Sequence, residues 1–229
     1  MEKSLALLVA AHFLGDFMLQ PDWLIKRKER LPFFLLHVLV HGILVYILYQ
    51  NWSCWQLPLG VVGIHVVIDK VKQKSSKDSA RKFAWDQIAH IVTLLLIGIV
   101  MINNSYIKPF SGQGYQWIII LAGFNATVSG AGYFVGKVAK EMRENNQLKI
   151  DGLKGGGARI GSLERAMIFL LIFINQPAGI GFLVAAKSIL RFEEAKNKKL
   201  AEYVLIGTLM SFSLAIAIAS MSKWAMNLR

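Results

Sequence analysis

The feature that most limits this chain is the grouping of its apolar residues into blocks of about 16 to 22, the length that crosses a hydrocarbon core as a helix. Eight blocks fall at about 4–20, 32–50, 55–71, 83–103, 115–136, 162–175, 178–191 and 200–221. Inside lipid every backbone N–H and C=O must find its partner within the protein, and a single apolar block does this only as a helix. The blocks therefore predict an all-α, polytopic transmembrane helical bundle with about eight membrane segments. The sixth and seventh are short and meet at Asn175, Gln176 and Pro177, so a re-entrant helical pair is the alternative there. The opening MEKSLALLVAAHFLGDFMLQ lacks the layout of a removable signal peptide and reads as a first span. The single cysteine, Cys54, has no partner for an internal disulfide and is assigned no role.

A net charge of +12 invites a nucleic-acid reading, but the position of the basic residues explains it better. Lys26, Arg27, Lys28 and Arg30 lie in the first connection, and Lys70, Lys72, Lys74, Lys77, Arg81 and Lys82 in the third. Lys137, Lys140, Arg143, Lys149, Lys154 and Arg159 lie in the fifth, and Arg191, Lys196, Lys198 and Lys199 in the seventh. The even connections and the termini hold only Lys3, Lys108, Lys223 and Arg229. The positive-inside rule then puts the odd connections in the cytoplasm and both termini outside. Trp52, Trp55, Tyr115 and Trp117 fit an aromatic belt at the outer ends. Contact with anionic lipids follows from the same charges, and no nucleic-acid partner is expected.

Within this apolar frame, every one of the five histidines has a His or Asp four residues away: His12 with Asp16, His37 with His41, His65 with Asp69, and Asp86 with His90. Such a spacing stacks both side chains on one helix face. With five His and six Asp in the chain, four independent pairs arise by chance with odds on the order of one in ten thousand. The first and third spans run inward and end with their pairs, whereas the second and fourth run outward and begin with theirs. All four pairs then sit at one depth, near the cytoplasmic ends of their helices.

Ionisable groups at membrane depth are costly unless paired or bound to an ion. His12, Asp16, His37, His41, His65, Asp69, Asp86 and His90 are thus candidate metal ligands, since helical bundles build metal centres from inward-facing ligands on adjacent helices. Neutral imidazole with carboxylate suits a divalent metal, zinc first, with manganese or iron as alternatives. Eight ligands exceed the needs of one tetrahedral ion, so two ions are expected, or one ion with carboxylates orienting the imidazoles. HVLVH lacks the glutamate of H-E-x-x-H, which disfavours a zincin-type protease. Asp16, Asp69 and Asp86 are the catalytic candidates, as groups able to take a proton from water; the residues do not divide ligand from base. Asp22, in QPDW, reads as a cap or turn residue.

The second half offers cations. GLKGGGARIGSLER, 152–165, supplies a cytoplasmic glycine-rich loop at 152–161 before a helix, able to meet an anion or to serve as a hinge with Ser162 as N-cap. It lacks the G-K-[ST] ending of a Walker A loop. Arg159, Arg165, Lys187 and Arg191 form a candidate cationic wall for a phosphorylated substrate, with Glu164 pairing one of them; snorkelling to the interface is the simpler alternative for Lys187 and Arg191. Gly132 and Gly136 in GYFVG read as a helix-packing motif. Two halves follow: 1–110, with four helices bearing the His/Asp layer, and 111–229, with the glycine-rich loop.

AHFLGDFMLQPDW, HVLVH, HVVID and DQIAH, in this order with short basic connections, resemble the bacterial membrane-protein family known as domain of unknown function 3307. GARIGSLER, AAKSILRFEE and AEYVLIGTLMSF look like the C-terminal half of its longer members. The resemblance implies a multi-pass protein of the bacterial inner membrane and carries no activity. A looser similarity, to membrane-bound metal-dependent hydrolases with His and Asp near one membrane face, is analogy only.

The expected function is a membrane-embedded metal-dependent hydrolase at the cytoplasmic leaflet, acting on a phosphorylated lipid or other anionic substrate. The alternatives are a metal-ion or proton transporter or channel that uses the His/Asp layer as its pathway, and a non-catalytic metal-stabilised membrane protein. Homo-oligomers are compatible with either class. The apolar outer halves LALLV, GILVYIL and TLLLIGIV speak against a through-path in the first four spans.

Overall fold

The structure is a computed structural model and describes residues 1–74, 79–107, 110, 112–148, 153–190 and 198–228. It is helical throughout, with no strand among the described residues. The elements are α1 (Glu2–Phe17), a short α2 (Asp22–Ile25), α3 (Leu31–Tyr49), α4 (Gln56–Gln73), α5 (Ala80–Asn103), α6 (Tyr115–Asn125), a wide π turn (Ala126–Gly130), α7 (Ala131–Asn145), α8 (Gly156–Phe173), α9 (Ala178–Leu190) and α10 (Lys198–Met226).

Local chemistry sets several boundaries. Pro32 opens α3, where its missing N–H would lack a partner in any case, and Gln50 closes that helix in the left-handed conformation at φ 56°. The Ser79 hydroxyl caps α5 by accepting from the Lys82 N–H at 3.2 Å. Gly155, at φ 74°, precedes α8.

Each of the eight apolar blocks coincides with a helix. Four helical runs are long and apolar enough to cross a membrane: Leu31–Tyr49, Ala80–Asn103, Tyr115–Asn145 and Lys198–Met226. Ala178–Ile189 is a shorter apolar helix. α1, at 16 residues, and α4, with Lys70 and Lys72 in its last turn, are shorter or more polar. Leu35, Leu39, Ile43 and Ile47 on α3, and Ile88, Val92, Leu96 and Val100 on α5, recur every four residues on the exposed faces. That inside-out pattern suits contact with acyl chains.

The sequence reading of 156–161 as loop differs from the structure. Gly156, Gly157 and Gly161 belong to α8, and Ser162 is no N-cap: it lies inside the helix with its hydroxyl donating to the Ala158 carbonyl at 3.0 Å.

The chain forms two compact units, Met1–Asn125 with Trp224–Arg229, and Ala126–Lys223. α6 goes with the first, beyond the boundary near 110 that the sequence suggested, because it packs along α1. In the first unit α1, α3, α4 and α5 close a ring, with α1 against α3 and α5, and α4 against the same two. One end of the ring is apolar: Leu7, Leu8, Val45, Leu57, Val61, Leu94 and Met101 belong to one buried core. His12, His41, His65 and His90 follow toward the other end, so the ring is a cup with a greasy base and polar contents.

Candidate metal centre

The four helices present one face each to the inside of the ring. On α3 that face is Phe34, His37, Val38, His41 and Val45; on α5 it is Asp86, His90, Leu94 and Met101. All five histidines are at most 2% exposed. Asp69 and Asp86 are buried beside them, while the Asp16 side chain keeps 12% of its surface. The eight residues picked out by four-residue spacing are brought together. Their side chains make three groups with ligand atoms within 4.8 Å of one another: His12, His41 and His65; Asp16, His37 and His41; and Asp69, Asp86 and His90.

Two imidazoles are held by their own helices. Nδ1–H of His65 donates to the Val61 carbonyl at 3.0 Å, and Nδ1–H of His90 donates to the Asp86 carbonyl at 2.9 Å. A carbonyl only accepts, so both rings carry their proton on Nδ1 and turn a bare Nε2 into the ring of helices. Partners that fix tautomer and orientation are what a metal-ligating histidine needs.

Gln87 extends this logic to His12. Its amide Nε2 donates to Asp16 Oδ2 at 2.9 Å, so its Oε1, 3.3 Å from His12 Nε2, calls for a proton there. His12 Nδ1 is then bare, and it stands 3.2 Å from the equally bare Nε2 of His65. Two lone pairs at that separation repel each other unless a proton or a metal ion lies between them. Two nitrogens on one tetrahedral zinc, with bonds of about 2.0–2.1 Å, stand about 3.3 Å apart. His41 Nδ1 and His90 Nε2 are buried without a hydrogen-bond partner among the described residues, and such orphans are costly unless an ion satisfies them.

The rings nest tightly: His41 stacks on His65 at 3.9 Å between centroids and His12 on His90 at 4.9 Å. Gly15 permits this nest, since a Cβ there would lie 2.3 Å from His41 Cε1.

The carboxylates differ in their company. His37 Nε2 is 3.3 Å from Asp69 Oδ2 and 3.7 Å from Asp16 Oδ1, and His41 Nε2 is 3.2 Å from that same Asp16 oxygen. Lys28 pairs with Asp69 at 2.9 Å and Lys72 with Asp86 at 2.6 Å. Asp16 forms no ion pair with a lysine among the described residues. Sequence reasoning missed Gln87, Gly15, Lys28 and Lys72 as parts of the site. The two lysines were visible only as connection charges, and nothing in local spacing marks the glutamine.

Gln87→Leu is expected to leave the helices intact, to release His12 and Asp16, and to weaken metal retention about 10- to 100-fold, the usual effect of losing an outer partner. Competition with a chromophoric chelator reads this directly.

The cationic candidates lie in the second unit. Arg165 and Lys187 line one cavity there, with Glu164 paired to Lys187 at 2.7 Å. Arg159 is exposed in the second turn of α8 and does not line that cavity; Arg191 lies outside the described residues.

Residues 4–113 match the model of the family described as Protein of unknown function (DUF3307), and the match spans all eight candidate ligands. No similar curated protein and no similar solved structure was found.

Proposed function

We propose that the N-terminal domain, a member of this family of unknown function, binds two divalent metal ions, zinc first, and uses them to hydrolyse a phosphorylated lipid or a related anionic substrate at the cytoplasmic face of a bacterial inner membrane. The observation that carries the reading is the meeting of five buried imidazoles and three carboxylates from four helices, with bare nitrogens of His12, His65 and His90 turned inward. His12, His41 and His65 suit one ion. Asp69, Asp86 and His90 suit a second.

Bound metal supplies Lewis acidity and lowers the pKa of water. Asp16, the most exposed of the three carboxylates and the one in no lysine ion pair among the described residues, would accept the proton of the attacking water, with His41 Nε2 at 3.2 Å and His37 Nε2 at 3.7 Å from its Oδ1. Lys28 and Lys72, at the polar end of the ring, favour an anion at its mouth. Transport through the layer is disfavoured by the apolar base formed by Leu7, Leu57, Val61 and Leu94, which offers an ion no polar partner.

The test is release of inorganic phosphate from phosphatidic acid, and from a water-soluble phosphomonoester, by the purified full chain in detergent. Activity is expected with zinc or manganese, to vanish on chelation, and to drop about 10²–10⁴-fold in Asp16→Asn. Metal-loaded protein that releases no phosphate from either probe, yet moves zinc into proteoliposomes, overturns the hydrolase in favour of the transporter.

A further inference from the structure

The second unit buries a guanidinium that has no carboxylate at ion-pair distance among the described residues. Arg165 is 5% exposed, and its hydrogen bonds go to neutral oxygens: Nε to the Val128 carbonyl at 3.0 Å, and the two terminal nitrogens to Ser211 Oγ at 3.1 Å and Ser162 Oγ at 3.3 Å. Among the described residues no carboxylate forms an ion pair with it, and the adjacent Glu164 is bound to Lys187 at 2.7 Å. A buried guanidinium whose hydrogen bonds all go to neutral oxygens is expensive, and in a chain with helices of membrane-crossing length it marks a functional position.

The fold makes room for this group on purpose. The π turn Ala126–Gly130 brings the Val128 carbonyl to the guanidinium, and wide turns of this kind recur at functional sites. A Cβ at Gly132 would lie 2.5 Å from one terminal nitrogen of Arg165, and one at Gly161 would lie 3.0 Å from the other. The two glycines thus form the slot in which the plane sits. Gly136, Gly157 and Gly207 behave in the opposite way: a Cβ on any of them would meet nothing within 4 Å. They border open space, a cavity of about 660 Å³ with Arg165 in its wall.

Among the described residues that cavity is lined by four cations, Lys140, Arg143, Arg165 and Lys187, and one carboxylate, Glu164, with Lys140 also 3.9 Å from Glu144. Its remaining walls include the apolar side chains of Val135, Ala139 and Val204. The volume falls within the range of small-molecule sites, about 300–1,000 Å³. Guanidinium and ammonium groups converging on one space match the several acceptor oxygens of a phosphate better than a single carboxylate, and the apolar walls suit an attached hydrocarbon group.

We propose that this cavity binds the phosphate group of an anionic amphiphile, with Arg165 as its buried anchor and Lys187 released from Glu164 to share the ligand's charge. The site stands on the second unit alone and does not require the metal centre.

Isothermal titration of the purified full chain in detergent, with phosphatidic acid in one arm and inorganic phosphate in the other, tests it. With the metal removed by a chelator, saturable binding is expected, about tenfold or more weaker in Arg165→Gln and blocked by Gly136→Leu, which fills the open side and leaves the Arg165 bonds in place. Inorganic phosphate binding that is lost in the same variants assigns the phosphate group alone as the ligand; binding of phosphatidic acid only assigns the amphiphile. Should Arg165→Gln fail to fold, judged by gel filtration and helicity, Gly136→Leu decides. Absence of saturable binding in both arms, or binding indifferent to the folded variants, overturns the proposal.

Discussion

Protein carrying alanine at both His41 and His65 is expected to purify with about half of the divalent metal found in the parent chain, which should hold about two ions. The two rings lie face to face at 3.9 Å, and both belong to the all-imidazole group with His12. Losing them leaves that group with one nitrogen, too few for a tetrahedral ion. Elemental analysis of both proteins measures the difference. The double variant His37→Ala/His41→Ala takes His41 from that same all-imidazole group and should lose the same ion, while Asp86→Asn should spare the ion held by His12, His41 and His65. Near-zero metal in the parent chain itself, after purification without chelators and reconstitution with zinc, sinks the metal reading and the hydrolase with it.

Gly15→Ala is the smallest change with a large expected effect. It adds one methyl, yet that methyl would sit 2.3 Å, 2.5 Å and 2.8 Å from three atoms of the His41 ring. The ring cannot swing aside easily, because His37, His65 and His12 surround it. Either α1 moves off α3 or His41 leaves its rotamer, at a cost of about 1–3 kcal/mol typical of overpacking. Thermal unfolding followed by helicity should register a lower midpoint. Metal titration should show affinity down by tenfold or more, since ligand placement tolerates little error. A variant with unchanged midpoint and unchanged metal affinity contradicts this packing.

The membrane-length blocks and the four-residue pairs carried most of what the structure contains, for reasons that are local. A helix turns three and a half residues at a time, so His37 and His41, or Asp86 and His90, share a face whatever the rest of the chain does. That four such faces meet required only that short connections keep neighbouring helices together. What stayed hidden depends on contacts far along the chain. Gln87 matters because it reaches Asp16 and His12, 71 and 75 residues away. Lys28 and Lys72 looked like ordinary connection charges until their ammonium groups were seen against Asp69 and Asp86. Gly15 carries no signal of its own, since its importance is the ring opposite. In the second unit, Ser162 resembled a helix cap, but the left-handed Gly155 starts the helix earlier and leaves the serine to bond the Ala158 carbonyl and the Arg165 side chain.

The apolar base of the ring has a consequence for traffic. Leu7, Leu8, Leu57, Val61 and Leu94 close the end below the imidazoles, and the ion-paired Lys28 and Lys72 lie toward the other end. Under the proposed hydrolysis, a single open end means that product must leave before the next substrate enters, so release would cap the rate.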